Sequence, residues 1–316
     1  MAPRAYDVLT IGDMCVDLIV ALGDTVPQFG QVEQWVPDYS VEMGGSTCLF
    51  ACQAAKLGLR TGILGRVGDD AFGRLILQRL RSSGVDVRHV EVQPALKTGL
   101  GVALVKDDCD RATLTYGGSL NAVYPEDITD DWLREGRHLH YGSYYLQTHL
   151  LPIAPEILRR AKALGLTTSL DTNWDPDGAW GSNLQQTLAH TDLFMPNEQE
   201  ALAITGVPGV AQALTRLLEQ VPVVAIKRGA QGALVGQGEV RHAVPVSPVC
   251  DPRDTIGAGD SFDAGFLAGW LAGLSLEQCA ALGNRCGRAT TEAYGGLAGQ
   301  PLASHCPELG GGGRPG

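Results

Sequence analysis

Hydrophobic positions along the chain follow two different periods, which alternate over most of its length. Short continuous apolar runs are typical of buried strands, whereas apolar residues at every third or fourth position are typical of helices. The runs that predict strands are 6–12, 61–67, 138–141, 167–171, 193–195 and 223–227. The segments that predict helices are 46–58, 71–81, 153–164, 183–190, 197–204, 210–220, 258–273 and 276–293. This alternation predicts an α/β fold in which helices cover both faces of a mostly parallel sheet, with the ligand site at the carboxyl ends of its strands.

A second pattern interrupts this alternation in the first half of the chain. Residues 87–93, 99–106 and 111–116 alternate polar and apolar side chains and are joined by polar turns without intervening helices. Such segments are typical of short strands, and together they predict a small separate β-layer. At the other end of the chain, the glycine-rich residues 310–316 predict a flexible segment that takes no part in the fold.

Composition and charge exclude several classes of protein. The chain has 316 residues, 44% of them hydrophobic, and a formal net charge of −11. A nucleic-acid-binding protein needs a basic face, so no nucleic-acid partner is expected. No apolar run reaches about eighteen residues and the first residues do not resemble a signal peptide, so we expect no membrane association and a cytoplasmic location. The eight cysteines include no Cys-x-x-Cys pair, which predicts buried free thiols rather than a zinc site.

The segment 254–266, with the sequence DTIGAGDSFDAGF, carries the strongest chemical signal. Apolar residues recur at helical spacing after it, which places Gly257, Ala258 and Gly259 at a helix N-terminus. Small residues leave the backbone N–H groups there accessible, and the helix dipole adds partial positive charge, so the turn predicts an anion cradle for a phosphoryl group. Asp260 follows directly, where its carboxylate can accept the proton of an attacking hydroxyl. The alternative is a simple helix cap at Asp260 after a tight turn.

The segment differs from two common nucleotide-binding motifs. It lacks the Gly-Lys-Ser/Thr of a Walker A loop, and no Gly-x-Gly-x-x-Gly follows the first strand, which argues against a dehydrogenase. It resembles instead the carboxyl-terminal signature of the ribokinase-like (PfkB) family of carbohydrate and nucleoside kinases. This resemblance extends from about residue 6 to residue 300. Its further segments are Gly12 with Asp17, Gly44-Gly45, 65–73, 84–86, 171–173 with Trp180, 197–200 and 227–232.

The resemblance implies a fold and a division of the chain. The fold is a ribokinase-like three-layer α/β/α domain over residues 1–303, with a mostly parallel central sheet and a small β-strand lid. The lid strands are expected at about 13–40 and 87–116, and residues 304–316 are expected to form a flexible tail. The exposed edges of such a lid predict a homodimer in which two lids pair.

The resemblance also implies roles for individual residues. Asp260 is the expected catalytic base, and Gly257, Ala258 and Gly259 are the expected anion hole. The expected substrate-binding residues are Asp17, with Asp13 as its nearest competitor, Gly44, Gly45 and Asn173. The expected nucleotide-binding residues are Asn197, Glu200, Lys227, Gly229, Gly232 and Thr255. Glu200 is expected to hold magnesium through water, Asn197 and Glu200 also fit a helix capping box, and Asp254 is a candidate for a potassium site.

One position departs from the family pattern. Leu49 stands where the family often carries Asn, so one polar contact to the substrate is expected to be missing. The resulting hypothesis is a phosphotransferase that uses ATP and Mg²⁺ to phosphorylate a hydroxyl of a sugar or sugar-like small molecule. Two alternatives stay open: a nucleoside kinase of the same fold, in which Trp35, Tyr39 or Tyr116 stacks on a base, and a catalytically silent sugar-binding or regulatory protein.

Overall fold

The computed structural model of the protein describes residues 4–106, 110–181, 183–248 and 252–309, which contain two β-sheets. The strands are β1 (Tyr6–Ile11), β2 (Cys15–Ala21), β3 (Asp38–Met43), β4 (Thr61–Gly68), β5 (Asp86–Gln93), β6 (Gly99–Val105), β7 (Arg111–Tyr116), β8 (Gly136–Tyr141), β9 (Thr167–Leu170), β10 (Leu193–Phe194), β11 (Val223–Lys227), β12 (Ala233–Gln237) and β13 (Val240–Val244). The large sheet has the order β13-β12-β11-β10-β9-β8-β1-β4-β5. Every pair from β11 to β5 is parallel, whereas β12 and β13 extend the edge in antiparallel fashion. The mostly parallel sheet predicted from the sequence is confirmed.

Helices cover both faces of the large sheet. They are α1 (Ser46–Lys56), α2 (Ala71–Ser82), α3 (Asp130–Arg134), α4 (Ala154–Ala163), α5 (Leu184–Leu188), α6 (Glu198–Thr205), α7 (Val210–Leu218), α8 (Ala258–Leu271) and α9 (Leu276–Thr290). Strand β11 shows the arrangement, because successive side chains of a strand point to opposite faces. Val223 and Ala225 lie in a core cluster with residues of α1, α8 and α9, whereas Val224 and Ile226 lie in a cluster with residues of α4 to α7. The predicted three-layer α/β/α fold is therefore confirmed.

The smaller sheet has the order β3-β2-β6-β7. The prediction that 87–93 belongs to this layer is wrong, because β5 pairs in parallel with β4 at the edge of the large sheet. The preceding helix α2 makes a crossover connection, which brings the next strand back parallel to β4. An edge strand is partly exposed, so β5 shows the same polar and apolar alternation as a strand of the small sheet.

The sequence pattern also missed the hairpin formed by β12 and β13. Two residues connect these strands, and the first of them, Gly238, has a φ of +55° that a tight hairpin turn requires. Small residues in Ala233–Gln237 weaken the strand signal, since they have low β propensity. The sequence pattern therefore does not predict the edge of the sheet next to residues 227–232.

Two expectations about the chain as a whole can be compared with the structure. No single helix among the described residues is long and apolar enough to cross a membrane, although α6 and α7 taken together, with a 65° bend between them, have the necessary length and composition. The cysteines in the described residues are buried and free of disulfides: Cys15, Cys48, Cys52, Cys279, Cys286 and Cys306.

The carboxyl-terminal segment corrects the predicted boundary at residue 304. Two 3₁₀ turns, Ala303–His305 and Pro307–Leu309, follow the last helix, and Cys306 between them is fully buried in a cluster with Leu282 and Cys286. Arg285 holds Glu308 in an ion pair at 2.8 Å. The predicted tail is thus packed on the domain over residues 304–309, and a single buried cysteine is too small a hydrophobic signal to reveal this from the sequence. Residues 310–316 lie outside the described residues.

We expect a chain that ends at residue 302 to melt about 1.5–3 °C below a chain that ends at residue 309. The shorter chain loses the buried Cys306 side chain and exposes the apolar residues beneath it, at a cost of about 1–2 kcal/mol. Thermal unfolding followed by circular dichroism measures the difference, and equal melting temperatures would contradict the packing described for residues 303–309.

Candidate active site

A cavity of about 900 Å³ opens at the carboxyl ends of the parallel strands. Its floor includes Asp171, directly after β9, and Lys227, at the end of β11. The small sheet contributes Asp17, Ala103 and Thr113 to its wall. The predicted site residues that line the cavity are Asp17, Gly45, Asn173, Asn197, Glu200, Lys227, Gly229, Gly232, Thr255, Gly257, Ala258, Gly259 and Asp260. Asp13, Gly44 and Asp254 lie behind this lining rather than in it.

The amino-terminal turn of α8 faces the cavity. Gly257 precedes the helix with a left-handed φ of +72°, and a Cβ there would come within 2.9 Å of Gly296, so only glycine fits this turn. The first N–H groups of an α-helix have no acceptor within the helix. The N–H of Ala258 donates weakly to the carbonyl of Thr255, at 3.4 Å, so the N–H groups of Gly259 and Asp260 are the ones available to an anion in the cavity. The helix dipole favours negative charge there.

Helix α9 holds α8 in this position by close packing. A Cβ on Gly265 would come within 2.8 Å of the Sγ of Cys286, and a Cβ on Gly287 would come within 2.8 Å of the carbonyl oxygen of Ala258. Glycines at both positions let the two helices approach at the end that carries the anion-binding turn.

Asp260 lies in the first turn of α8 and is only 9% exposed. Burial raises the pKa of its carboxyl well above the usual range, the charge of Asp171 raises it further, and the ammonium of Lys227 and a hydrogen bond with Ser46 oppose the shift. A carboxylate with a raised pKa is a stronger proton acceptor than an exposed one, provided that it is ionised. Asp260 thus has the position and the environment of a general base.

Lys227 does not present a free ammonium group to the cavity. Its Nζ lies 3.0 Å from Oδ2 of Asp171 and 2.9 Å from Oδ2 of Asp263, and the side chain is only 12% exposed. Burial alone would lower the pKa of the ammonium, but Asp171, Asp263 and Glu200 outweigh this effect and raise it. The two carboxylates therefore favour the charged form of this lysine. Asp263, which sequence analysis missed, lies one helical turn beyond Asp260 and resembles an ordinary helix residue in the sequence.

Asp13 is bound by the start of α1 instead of facing the substrate region. Its carboxylate accepts hydrogen bonds from the backbone N–H groups of Ser46, at 3.1 Å, and Thr47, at 2.9 Å. The hydroxyls of Thr47 and Ser143 donate to the same carboxylate. Gly45 lies so close to the backbone of Asp13 that a Cβ would collide with its carbonyl oxygen. Asp13 therefore lies behind the cavity lining and Asp17 lies in it, and the choice between them as substrate residue stays a prediction.

Asp17 is presented by the small sheet at the opposite wall of the cavity. It lies on β2 between Glu42 of β3 and Gly101 of β6. A Cβ on either Gly44 or Gly101 would collide with its carboxylate, so both glycines make room for this side chain. Gly44 thus acts on the site through Asp17, while Gly45 lines the cavity itself.

Asn173 connects three segments at the substrate end of the cavity. Its side-chain amide donates to the hydroxyls of Ser46, at 2.9 Å, and Ser143, at 3.0 Å. The backbone of Asn173 has a φ of +53°, which is uncommon for residues other than glycine. A strained backbone at a cavity wall is typical of functional sites, where the surrounding contacts enforce it.

Asn197 and Glu200 form the capping box that the sequence predicted for α6. The amide N–H of Asn197 donates to Glu200 at 2.8 Å, and the amide N–H of Glu200 donates to the side chain of Asn197 at 2.9 Å. Burial raises the pKa of Glu200 to about 7. The described residues contain no cluster of three or more His, Cys, Asp or Glu side chains able to bind a metal directly. An oxygen donor that reaches the cavity is compatible with a magnesium ion held through water.

The other end of the cavity includes residues that sequence analysis did not identify. They are Val246, Ser247, Pro248, Pro252, Asn284, Arg288 and Thr291, which stand beside the predicted Gly229, Gly232 and Thr255. Loop and helix residues of this kind carry no spacing signal in a single sequence.

Asp254 braces the loop that leads into α8. Its carboxylate accepts hydrogen bonds from the backbone N–H of Ile256, at 2.9 Å, and of Gly295, at 3.0 Å. It therefore ties the 254–257 loop to the loop after α9. The potassium role of Asp254 stays a prediction.

The fold and the site together define a ribokinase-like class of protein, in which a small sheet stands over the carboxyl ends of a parallel sheet beside a glycine-turned helix. The sequence profile of the pfkB family carbohydrate kinases matches residues 6–302. The chain belongs to this family of carbohydrate kinases.

Individual relatives of this chain are also described as kinases of sugars or sugar phosphates. The ATP-dependent ribose-1-phosphate kinase of Halopiger xanaduensis is 34% identical over 78% of this chain and 79% of its own length. The structure of Arabidopsis thaliana ribokinase complexed with ribose and ATP is 23% identical with a TM-score of 0.83, and covers 96% of this chain and 98% of that one. A crystal structure from E. coli, described as a ribokinase II in complex with ATP and Mg²⁺, is 26% identical to this chain with a TM-score of 0.83. It covers 96% of this chain and 98% of that one.

Replacing Asp13 and Asp17 by alanine should have different consequences. We expect Asp13→Ala to lower the free energy of unfolding by about 2–4 kcal/mol, because the buried N–H and hydroxyl donors around it lose their acceptor. Asp17→Ala should instead raise the KM for the acceptor substrate about 10- to 100-fold with a small effect on stability. Urea unfolding and steady-state kinetics measure the two effects, and the reverse assignment would contradict the geometry.

Proposed function

We propose that the protein transfers the terminal phosphoryl group of ATP to a hydroxyl of a sugar or sugar-like small molecule. The observation that carries the proposal is the shared cavity, in which the free N–H groups of α8 and the carboxylate of Asp260 face Asp17 of the small sheet. A hydroxyl held near Asp17 and a phosphate held near α8 would meet at Asp260. The names of the relatives support ATP as donor and a sugar as acceptor.

In this mechanism Asp260 takes the proton of the acceptor hydroxyl, and the oxygen of that hydroxyl attacks the terminal phosphorus of ATP. The bond from that phosphorus to the bridging oxygen of the donor breaks, and ADP leaves. The backbone N–H groups of Gly259 and Asp260 stabilise the charge that spreads over the phosphoryl oxygens. When bound, Mg²⁺ neutralises phosphate charge, and Asn197 and Glu200 are the residues that would hold it through water. Closure of the small sheet over the acceptor would exclude water.

Asp260→Asn should lower kcat about 10²- to 10⁴-fold, because the variant keeps the shape of the side chain but cannot accept the proton. ADP release from ATP and Mg²⁺ in the presence of an active acceptor measures the effect, with the melting temperature as a check on folding. Asp131→Asn, at a position 97% exposed on its side chain, is the matched control and should leave kcat unchanged. Near-normal turnover in Asp260→Asn would remove this carboxylate from the mechanism.

A panel of acceptors separates the proposed activity from its alternatives. Pentoses, hexoses, sugar phosphates such as ribose 1-phosphate, and nucleosides are each tested for ADP release with ATP and Mg²⁺. A sugar or sugar phosphate as the preferred acceptor supports the proposal, and a nucleoside would replace it by the nucleoside-kinase alternative. Binding of a sugar without ADP release would support the catalytically silent alternative.

We also propose that two copies associate through the small sheet in the cytoplasm, as part of a kinase domain that carries this sheet as its lid. The sheet ends in two edge strands, β3 and β7, whose backbone groups need partners. Large apolar residues on and next to this sheet are exposed to solvent: Phe29 and Trp35 almost completely, and Tyr39 and Leu114 over about two thirds of their surface. Exposed apolar groups of this size favour association, and a second copy offers the same strand edges.

Light scattering at micromolar concentration should give the mass of a dimer. The double variant Phe29→Ser and Trp35→Ser should shift the chain toward the monomer, because two large apolar side chains leave the contact. A matched control, Val240→Ser on the exposed strand β13, should leave the mass unchanged. A monomeric wild-type chain would contradict the proposed dimer.

A further inference from the structure

The ammonium of Lys227 lies directly behind the anion-binding turn. A Cβ built on Gly259 would be 3.5 Å from Nζ of Lys227, so the ammonium lies close to the last of the three residues predicted to form the anion cradle, Gly257 to Gly259. Its two hydrogen-bond partners come from different parts of the fold. Asp171 follows β9, and Asp263 belongs to α8 itself. The ion cluster therefore joins the ends of β9 and β11, which flank β10 in the sheet, to the helix that carries Asp260.

We propose that Lys227 is a positioning residue, which sets the charge state of Asp260 and holds the first turn of α8 in place, rather than a ligand of the nucleotide. This inference rests on the proposed function, because it concerns how the base of that reaction is kept ionised. A lysine that bound phosphate would need an ammonium free to reach it. Here the ammonium lies at the floor of the cavity, and its hydrogen bonds go to two carboxylates, Asp171 at 3.0 Å and Asp263 at 2.9 Å.

The charged groups that shift the pKa of Asp260 come from several elements of the fold. Asp13 lies after β1, Asp171 after β9, and Lys227 at the end of β11; Ser46 of α1 adds a hydrogen bond. Asp263 belongs to the same helix, one turn on, and Glu200 of α6 acts on Lys227. Lys227 is the only positive charge in this set of described residues. Burial, Asp171 and Asp13 raise the pKa of Asp260, and Lys227 lowers it.

The sign of the effect on activity follows. A general base works only when it is ionised, so kcat/KM falls as the pH drops through the pKa of Asp260. Removing the ammonium removes a group that lowers this pKa, so the acidic limb of the pH profile should move to higher pH. Removing the charge of Asp171 removes a group that raises it, so that limb should move to lower pH.

The test compares the pH dependence of kcat/KM in the wild type, Lys227→Met, Asp171→Asn and the double variant. We expect Lys227→Met to move the acidic limb up by about 1–3 pH units, since a neighbouring opposite charge has an effect of this size. Asp171→Asn should move it down, and the double variant should lie between the two single variants. Lys162→Met is the matched control, because Lys162 forms an ion pair with Asp192 on the surface and should leave the limb in place.

A purely structural role predicts another result. If Lys227 only supports the fold, Lys227→Met lowers kcat/KM at every pH or unfolds the chain without moving the limb of the remaining activity. An unmoved limb in folded Lys227→Met overturns the proposal. If that variant does not fold, Asp171→Asn decides alone, because its side chain keeps its size, and an unmoved or upward-shifted limb overturns the proposal. A wild type inactive on every acceptor would overturn the proposed function itself, whereas an active wild type with unshifted variants overturns only the role of Lys227.

Discussion

The buried ion cluster of Lys227, Asp171 and Asp263 is the interaction on which the active site depends. It joins the carboxyl edge of the sheet to the first turns of α8, the turns whose backbone N–H groups are proposed to bind a phosphate. Charges buried in a protein are costly unless each has a partner with good geometry. The ammonium of Lys227 binds one oxygen of each carboxylate, at 3.0 Å from Asp171 and 2.9 Å from Asp263, and these contacts tie the start of α8 to the end of β9.

The rest of the site is arranged around that fixed helix. On one side, glycines of α8 and α9 let the helices pack closely, and Gly257 turns the chain into α8. On the other side, the carboxylate of Asp13 binds the start of α1, so that Gly45 and Ser46 line the cavity beside Asp260. Two helix N-termini thus converge on one cavity, one bound by an internal carboxylate and the other left open. A difference of this kind is what an anion site requires, because only the open terminus can bind a phosphate.

The sequence predicted much of this arrangement because periodic signals and local motifs report on it directly. Alternating periods revealed the parallel sheet and most of its helices, and the segment at 254–266 revealed the turn before α8. The errors concern features that depend on the fold as a whole. An edge strand of the large sheet and a strand of the lid have the same alternation, so β5 was placed in the wrong sheet. Asp13 and Asp17 are both acidic residues near the end of the first strand, and only the packing of α1 distinguishes them. Lys227 has a sequence context typical of a nucleotide site, but the partner that binds it, Asp263, is distant in the chain.

The central claim is that the open N–H groups at the start of α8 hold the phosphoryl group next to Asp260. A crystal structure with a non-hydrolysable ATP analogue, Mg²⁺ and an acceptor sugar tests it most directly. The account predicts oxygens of the terminal phosphate about 3 Å from the backbone nitrogens of Gly259 and Asp260, with the acceptor hydroxyl between that phosphate and Asp260. A terminal phosphate bound elsewhere, or bound by the ammonium of Lys227, would contradict it.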